Sequence, residues 1–273
     1  MAETTGDFLN MMQDDKIYNV ITKEDIMIQL QHLGIQRGML LLLEVDSSDM
    51  GYICGGMQTF LEAVMECVGY EGTIVMPTFT PDNLDPASHD ANHISRDNWE
   101  VVRKHAQPFN RKLSPPHTKE AMVHQFLRNE GVIRSYHPIY SFAAWGKYAK
   151  IICDKHPLHF GLSKESPLGK LFELNGYVLL AGCSYVNCQA FHFARYSGEQ
   201  LPIRILSAPL EHNNRTIWKE MLDLHLNTDG FDAIGEVMEE RKIVKASYIN
   251  AARCRFFSMR EAIHIATAYF HIK

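Results

Sequence analysis

Short apolar runs alternating with amphipathic helical stretches predict an α/β chain of mixed α+β character, a central sheet flanked by helices. Three neighbouring segments carry that expectation. Met39 to Glu44 is an unbroken apolar run closed by an acid, Phe60, Leu61, Val64, Met65 and Val68 recur at spacings of three and four, and Thr73 to Met76 is a second apolar run ending at Pro77. The runs read as strands covered on both faces, and the stripe as the helix that joins them.

The remaining elements follow in chain order. Thr22, three residues before Asp25, reads as a helix N-terminus, with Ile26, Leu30 and Leu33 on one face and Gly34 as the stop. Val45 to Gly56 is a small-residue loop rich in Asp, Ser and Gly. Thr78 to Pro116 shows no sustained period and is crowded with Pro, Asp, Asn and His, as a surface excursion or lid would be. A helix is expected over 118–129, a strand at Tyr177 to Ala181, and helices at Phe191 to Tyr196, Ile217 to Leu226, Phe231 to Arg241 and Met259 to Phe270. There is no internal repeat and no Gly/Ser linker, so residues 1–273 read as one domain with a polar tail over 1–20 and an excursion over 78–116.

Composition narrows the function. A formal charge of −5 lacks the basic excess of a nucleic-acid-binding domain. The longest apolar run, Met39 to Leu43, is too short to span a bilayer, and the N-terminus has no apolar export core. Six cysteines without C-x2-C spacing predict a reduced, cytoplasmic protein acting on a small molecule. No metal is expected: His89 and His93 stand four apart in a stretch without helical period, where that spacing fixes no common face.

Three stretches carry candidate chemistry. Gly51, Gly55 and Gly56, between a buried strand and a helix, suit either an anion held by backbone N–H groups or a tight turn. Arg134, Ser135, His137, Tyr140 and Ser141, followed by Phe142 and small residues, suit either a close approach to a ligand or a sheet edge with a proline turn, and local chemistry favours the edge. His192, just past a strand, is a general-base candidate, and Cys188 four residues earlier would pair with it as a nucleophile if the helix already includes it. A lone helical histidine is more often structural.

Taken together, these stretches resemble the aminoglycoside 3-N-acetyltransferase family. GYICGG with EGTIVMPTFT, GVIRSYHPIYSFAAWGKYA, HPLHFGLSKESPLGKL, YVLLAGCSYVNCQAFHFARY and REAIHIATAYF occur in the family's order from about residue 20 to the C-terminus. The resemblance implies the antibiotic N-acetyltransferase-like fold, acetyl-CoA as donor and direct transfer to a primary amine. It implies that Ser48, Gly51, Gly55 and Gly56 meet CoA and that Arg134, Ser135, Ser141 and Phe142 lie by its pantetheine arm. His192 corresponds to the histidine of the family's H-x-x-E signature, as the base or its relay, with backbone N–H or Ser141 stabilising the oxyanion.

The departures lie on the acceptor side. Arg195 stands where the signature has an acid, the family's H-S-S-L-x-S loop reads EVDSSD with an acid in place of the histidine, and Val186 and Gln189 replace an acid and a hydroxyl. Asp82, Asp85 and Glu120 are the acids expected to receive a cationic acceptor, with Glu165 in reserve, and Arg195 points to an acceptor carrying phosphate or carboxylate, such as a nucleotide-linked amino sugar. Two alternatives accompany this reading: a CoA-binding homologue with impaired chemistry, and a Cys188–His192 acyltransferase or thioesterase.

Overall fold

The structure, a computed structural model, describes residues 20–88, 94–198 and 201–272; the tail before Val20, and His89 and His93, lie outside the described residues. The chain opens with β1 (Val20–Ile21) and α1 (Lys23–Leu33). Thr22 caps α1 as expected: its hydroxyl accepts the Asp25 N–H at 3.2 Å, and the Asp25 carboxylate accepts the Thr22 N–H at 2.9 Å. Gly34 ends the helix in the left-handed conformation.

The predicted strand, loop, helix and strand follow as β2 (Leu40–Val45), a loop containing the two-residue β3 (Tyr52–Ile53), α2 (Met57–Val68) and β4 (Thr73–Pro77). Next come α3 (Trp99–His105), α4 (Ala121–Arg128), β5 (Ile133–Arg134), β6 (Phe142–Gly146), α5 (Ala149–Asp154), α6 (Pro167–Glu173) and β7 (Tyr177–Ala181). The chain continues through α7 (Gln189–Gly198), the hairpin β8 (Ile203–His212) and β9 (Arg215–Leu224), α8 (Phe231–Glu240), β10 (Lys245–Ile249), β11 (Ala252–Ser258) and α9 (Met259–Ile272).

Seven strands form a mixed sheet in the order β10-β11-β7-β2-β4-β6-β5. Its middle is parallel, with β2 hydrogen-bonded to β4 on one side and β7 on the other, and antiparallel pairs complete both flanks. Residues of β2 alternate between two cores. Leu41 and Leu43 meet Ile26, Leu30, Phe60 and Phe126 from α1, α2 and α4. Leu40 and Leu42 meet Ile152, Leu171, Phe191, Phe231 and Met259 from α5 to α9. The continuous apolar run is thus the consequence of burial on both faces.

This winding fixes where a ligand fits. After β2 the chain leaves for α2 on one face, and after β7 it leaves for α7 on the other. Two adjacent parallel strands whose following loops diverge leave a crevice at their carboxyl ends.

One expectation is corrected. The segment Ile217 to Leu226, expected as a helix, is mostly strand β9, paired antiparallel with β8 from Ile203↔Leu224 to His212↔Arg215. Asn213 and Asn214 close the ribbon with φ of 50° and 57°, the positive pair that a two-residue hairpin turn requires. The 78–116 excursion runs against this hairpin. The Asp85 N–H donates to the Ser207 carbonyl, the Phe109 N–H to that of Pro209, and the Trp218 indole to that of Arg103, stitching it to the hairpin.

The turn after β7 is held by α8. A Cβ on Gly235 would sit 2.1 Å from the Tyr185 ring, and the Tyr185 hydroxyl donates to Glu239 Oε1 at 2.9 Å. Gly235→Ala, which in an open helix would gain about 1 kcal/mol, is expected to lower stability by about 1–3 kcal/mol through overpacking, checked by urea unfolding.

Candidate active site

A cavity of about 240 Å³ occupies the crevice at the strand ends. Its walls include Glu44 from β2, Phe79 after β4, His117 and Glu120 before α4, Cys183 and Asn187 between β7 and α7, and Gln189 at the start of α7. Glu44 has the parity of Leu40 and Leu42, so it lies on the face that α7 covers. It is 5% exposed and accepts the Gln189 N–H, the first of α7, at 2.9 Å on Oε1. No described group hydrogen-bonds Oε2. Burial pushes this carboxyl up to about 8, with the Gln189 N–H opposing.

Glu120 closes the opposite wall and accepts the Ser47 N–H at 3.3 Å, tying the loop after β2 to the start of α4. Exposed Asp82 reaches the rim through His117, whose Nδ1 is 2.9 Å from Asp82 Oδ2. Asp85, the third acid expected to bind an acceptor, is buried and held by Arg103 at 2.8 and 3.0 Å. Its charge is already matched, so Asp85 braces the excursion and offers nothing to a ligand. Glu165 lines a separate groove with Lys164 and Lys170.

His192 lies one turn into α7, almost buried, edge-on to the Phe231 ring with 4.9 Å between centroids. No described group hydrogen-bonds its Nδ1. Burial first, and the Arg195 guanidinium second, pull its pKa down to about 3, so the ring is held neutral. Arg195 is fully buried behind it, donating to Asn227 Oδ1 at 2.8 Å and the Asp229 carbonyl at 2.6 Å and lying 4.2 Å over Phe270. It closes the 227–229 loop and does not line the cleft, which corrects the expectation that it meets an anionic acceptor.

The Cys188–His192 nucleophile is likewise corrected. The Cys188 thiol is fully buried and raised well above its ordinary value by desolvation first and by Glu44 second, which disfavours the thiolate a nucleophile needs.

Arg134, Ser135, Ser141 and Phe142 form a buried web in place of a ligand surface. Arg134 donates to Thr78 Oγ1, Ser141 Oγ and the Ser114 and Thr78 carbonyls and stacks 5.0 Å from Phe109, while burial lowers it to about 10. The Ser141 hydroxyl gives its one proton to the Thr78 carbonyl at 2.7 Å and has none left for an oxyanion. Ser135 Oγ accepts the Phe142 N–H and bonds His156 Nδ1, both at 2.9 Å. His137 Nδ1 accepts the N–H groups of Ile139 and Tyr140. The sheet edge with its proline turn is therefore what this stretch builds. It positions Phe79, edge-on to Phe142 at 5.2 Å, as a wall of the cleft.

Gly51, Gly55 and Gly56 all have positive φ, 73°, 81° and 70°. Gly56 caps α2 without any side-chain hydrogen bond, and Ser48 bonds Asp46 Oδ1 through both its N–H and its hydroxyl. None of these four lines the cleft. Among the described residues there is no cluster of metal-ligating side chains and no helix long and apolar enough to cross a membrane.

Residues 42–271 match the aminoglycoside 3-N-acetyltransferase family. The SPbeta prophage-derived aminoglycoside N(3')-acetyltransferase-like protein YokD of Bacillus subtilis is 33% identical over 250 residues, covering 91% of this chain and 92% of that one. Its crystal structure superposes with a TM-score of 0.89 over 92% of this chain and 94% of that one. The crystal structure of aminoglycoside acetyltransferase AAC(3)-Xa gives 0.85 at 25% identity over 98% of each chain. Aminoglycoside N(3)-acetyltransferase IX of Micromonospora chalcea is 28% identical over 215 residues, 78% of this chain and 75% of that protein. The chain is thus an acetyltransferase by fold and family. It belongs to the aminoglycoside 3-N-acetyltransferase family.

The sequence reading passed over Glu44 and His117 as site residues. The acid that closes an otherwise apolar buried strand was the available signal for the first. With a folded-state pKa near 8 against an ordinary 4.5, Glu44 keeps a proton that the unfolded chain surrenders. Its contribution is complete below pH 4.5 and is lost as pH rises through 8. Thermal melts of Glu44→Gln and wild type should therefore diverge in favour of the variant between these limits and stay parallel above them; a constant difference would show that Glu44 is ionised in the fold throughout.

Proposed function

We propose that this protein transfers the acetyl group of acetyl-CoA directly to a primary amine of an aminoglycoside-like or amino-sugar acceptor at the cleft. The observation that carries this reading is the crevice itself: Glu44 and Glu120 face it with Asp82 at its rim, and among the described residues no lysine or arginine lines it. An ammonium group is the ligand charge such walls favour. With Arg195 committed to the 227–229 loop, a phosphate on the acceptor loses its reason, and a cationic sugar fits better.

At about 240 Å³ the cavity is below the usual size of a ligand site and takes only the reacting ends of the two substrates. The nucleotide of CoA then lies outside it. We assign its diphosphate to the glycine turn at 51–56, where α2 begins with N–H groups that no side chain caps. In the transfer, the amine nitrogen bonds the thioester carbonyl carbon, the carbon–sulfur bond breaks and CoA leaves as the thiol. Holding the two substrates in line accounts for much of the acceleration.

Thiol release from acetyl-CoA, followed across gentamicin, kanamycin, glucosamine and simple alkylamines, should show stimulation by the cationic sugars. CoA binding by calorimetry without any amine-stimulated release would assign a binding homologue instead. Cys188→Ala should retain turnover within a few-fold, with no acetyl adduct by mass spectrometry; an adduct on Cys188 of wild type would establish a covalent route.

A further inference from the structure

Glu44 is the one buried ionisable group of the cleft whose placement the fold's own packing leaves unexplained. Cys183 and Cys188 are small apolar fillers, Glu120 serves the Ser47 N–H and His117 serves Asp82. Glu44 spends one oxygen on the Gln189 N–H and turns the carboxyl toward the cavity, with Oε2 unmatched by any described group. Among the described residues no cation stands beside it, and only desolvation and the Gln189 N–H act on it. The charged and titratable groups around it are Asp46 two residues on, Glu120 and His117 across the cavity, Cys183 after β7, and Cys188 and His192 on the α7 side. An acid kept in that position without a cation lowers stability above pH 4.5 and suits a site that receives its positive charge from a ligand.

Resting on the acetyl-transfer reading above, we propose that Glu44 is the catalytic base of this chain, taking the proton of the acceptor nitrogen through Oε2. The ammonium form of the acceptor first gives up one proton to solvent. As the neutral nitrogen bonds the carbonyl carbon, its proton passes to the Glu44 carboxylate. When the carbon–sulfur bond breaks, the sulfur leaves with the electron pair and takes that proton back, restoring the carboxylate. Amine and thioester become amide and thiol, and nothing else is consumed. A carboxyl lifted to about 8 is a far better match to an attacking amine than one near 4.5. His192, held neutral by burial and by Arg195, packs edge-on to Phe231 and is not among the residues that line the cavity.

The test compares wild type, Glu44→Gln and Glu44→Asp with acetyl-CoA and gentamicin, measuring kcat/KM for the amine from pH 6 to 9.5. Dividing wild type by Glu44→Gln at each pH cancels the titration of gentamicin itself. The ratio should reach about 100-fold or more above pH 8, in the range general bases contribute, and fall about tenfold per pH unit below it. The KM for acetyl-CoA and calorimetric CoA binding should stay within twofold, and Glu44→Asp should recover part of the rate. A ratio independent of pH, or Glu44→Gln within threefold of wild type at pH 8.5, overturns the assignment while leaving acetyl transfer standing. Wild type that binds CoA but releases none with any amine overturns both.

Discussion

The organisation of the molecule depends on β2 having parallel partners on both sides and helices on both faces. A strand so enclosed has no solvent-facing residue until its last turn, so the chain reads Leu40 to Leu43 without interruption and then changes character at Glu44. The partners β4 and β7 end nearby, and the loops that follow β2 and β7 leave for opposite faces. The cavity is therefore a by-product of winding, and the last residues of β2, Glu44 and Val45, are brought to its wall.

What surrounds the cavity is rigid for a separate reason. Arg134 has its guanidinium divided among Thr78, Ser114 and Ser141, and a buried cation with that many acceptors fixes the distance between β4, β5 and β6. The same web reaches through Ser135 and His156 to the Gly161 carbonyl. Gly161 in turn donates its N–H to buried Asp223 on β9, so the hairpin shares the frame. Phe79 and the root of the long excursion inherit this rigidity. Residues that look like a ligand surface in the sequence thus act at one remove, by holding the wall against which a ligand would rest.

Much of the fold was legible from the chain alone because its signals were local. The Thr22–Asp25 box, the stripe of α2 and the run Tyr177–Ala181 each contain, within a dozen residues, the cause of their own structure. β9 was illegible for the same reason in reverse. Ile217, Met221 and Leu224 fall at helical spacings of four and three, and the evidence for a strand lies in the Asn213–Asn214 turn and in β8 beyond it. β10 pairs with β11, and β11 with β7 more than sixty residues earlier, and β10 is largely exposed, so neither shows a clean pattern. For the site, residue type was a fair guide to polarity and a poor guide to direction. Glu120 and His117 face the cleft while Asp85 and Arg195, equally suited by chemistry, face partners inside the protein. Direction is set by tertiary pairing, which spacing does not encode.

The acid and the imidazole on this face of the sheet illustrate how one environment tunes two groups. Burial raises Glu44 to about 8 and lowers His192 to about 3, so near neutrality the glutamate is largely protonated and the histidine unprotonated. In that condition neither of these two groups is charged, and Glu120, with Asp82 at the rim, remains as the acid of the cleft. An ammonium arriving beside Glu44 would draw the carboxyl back toward its ionised form, and a neutral ligand would not. A preference of the cleft for a cation would then follow from burying a carboxyl that has a backbone N–H on one oxygen and no cation beside it among the described residues.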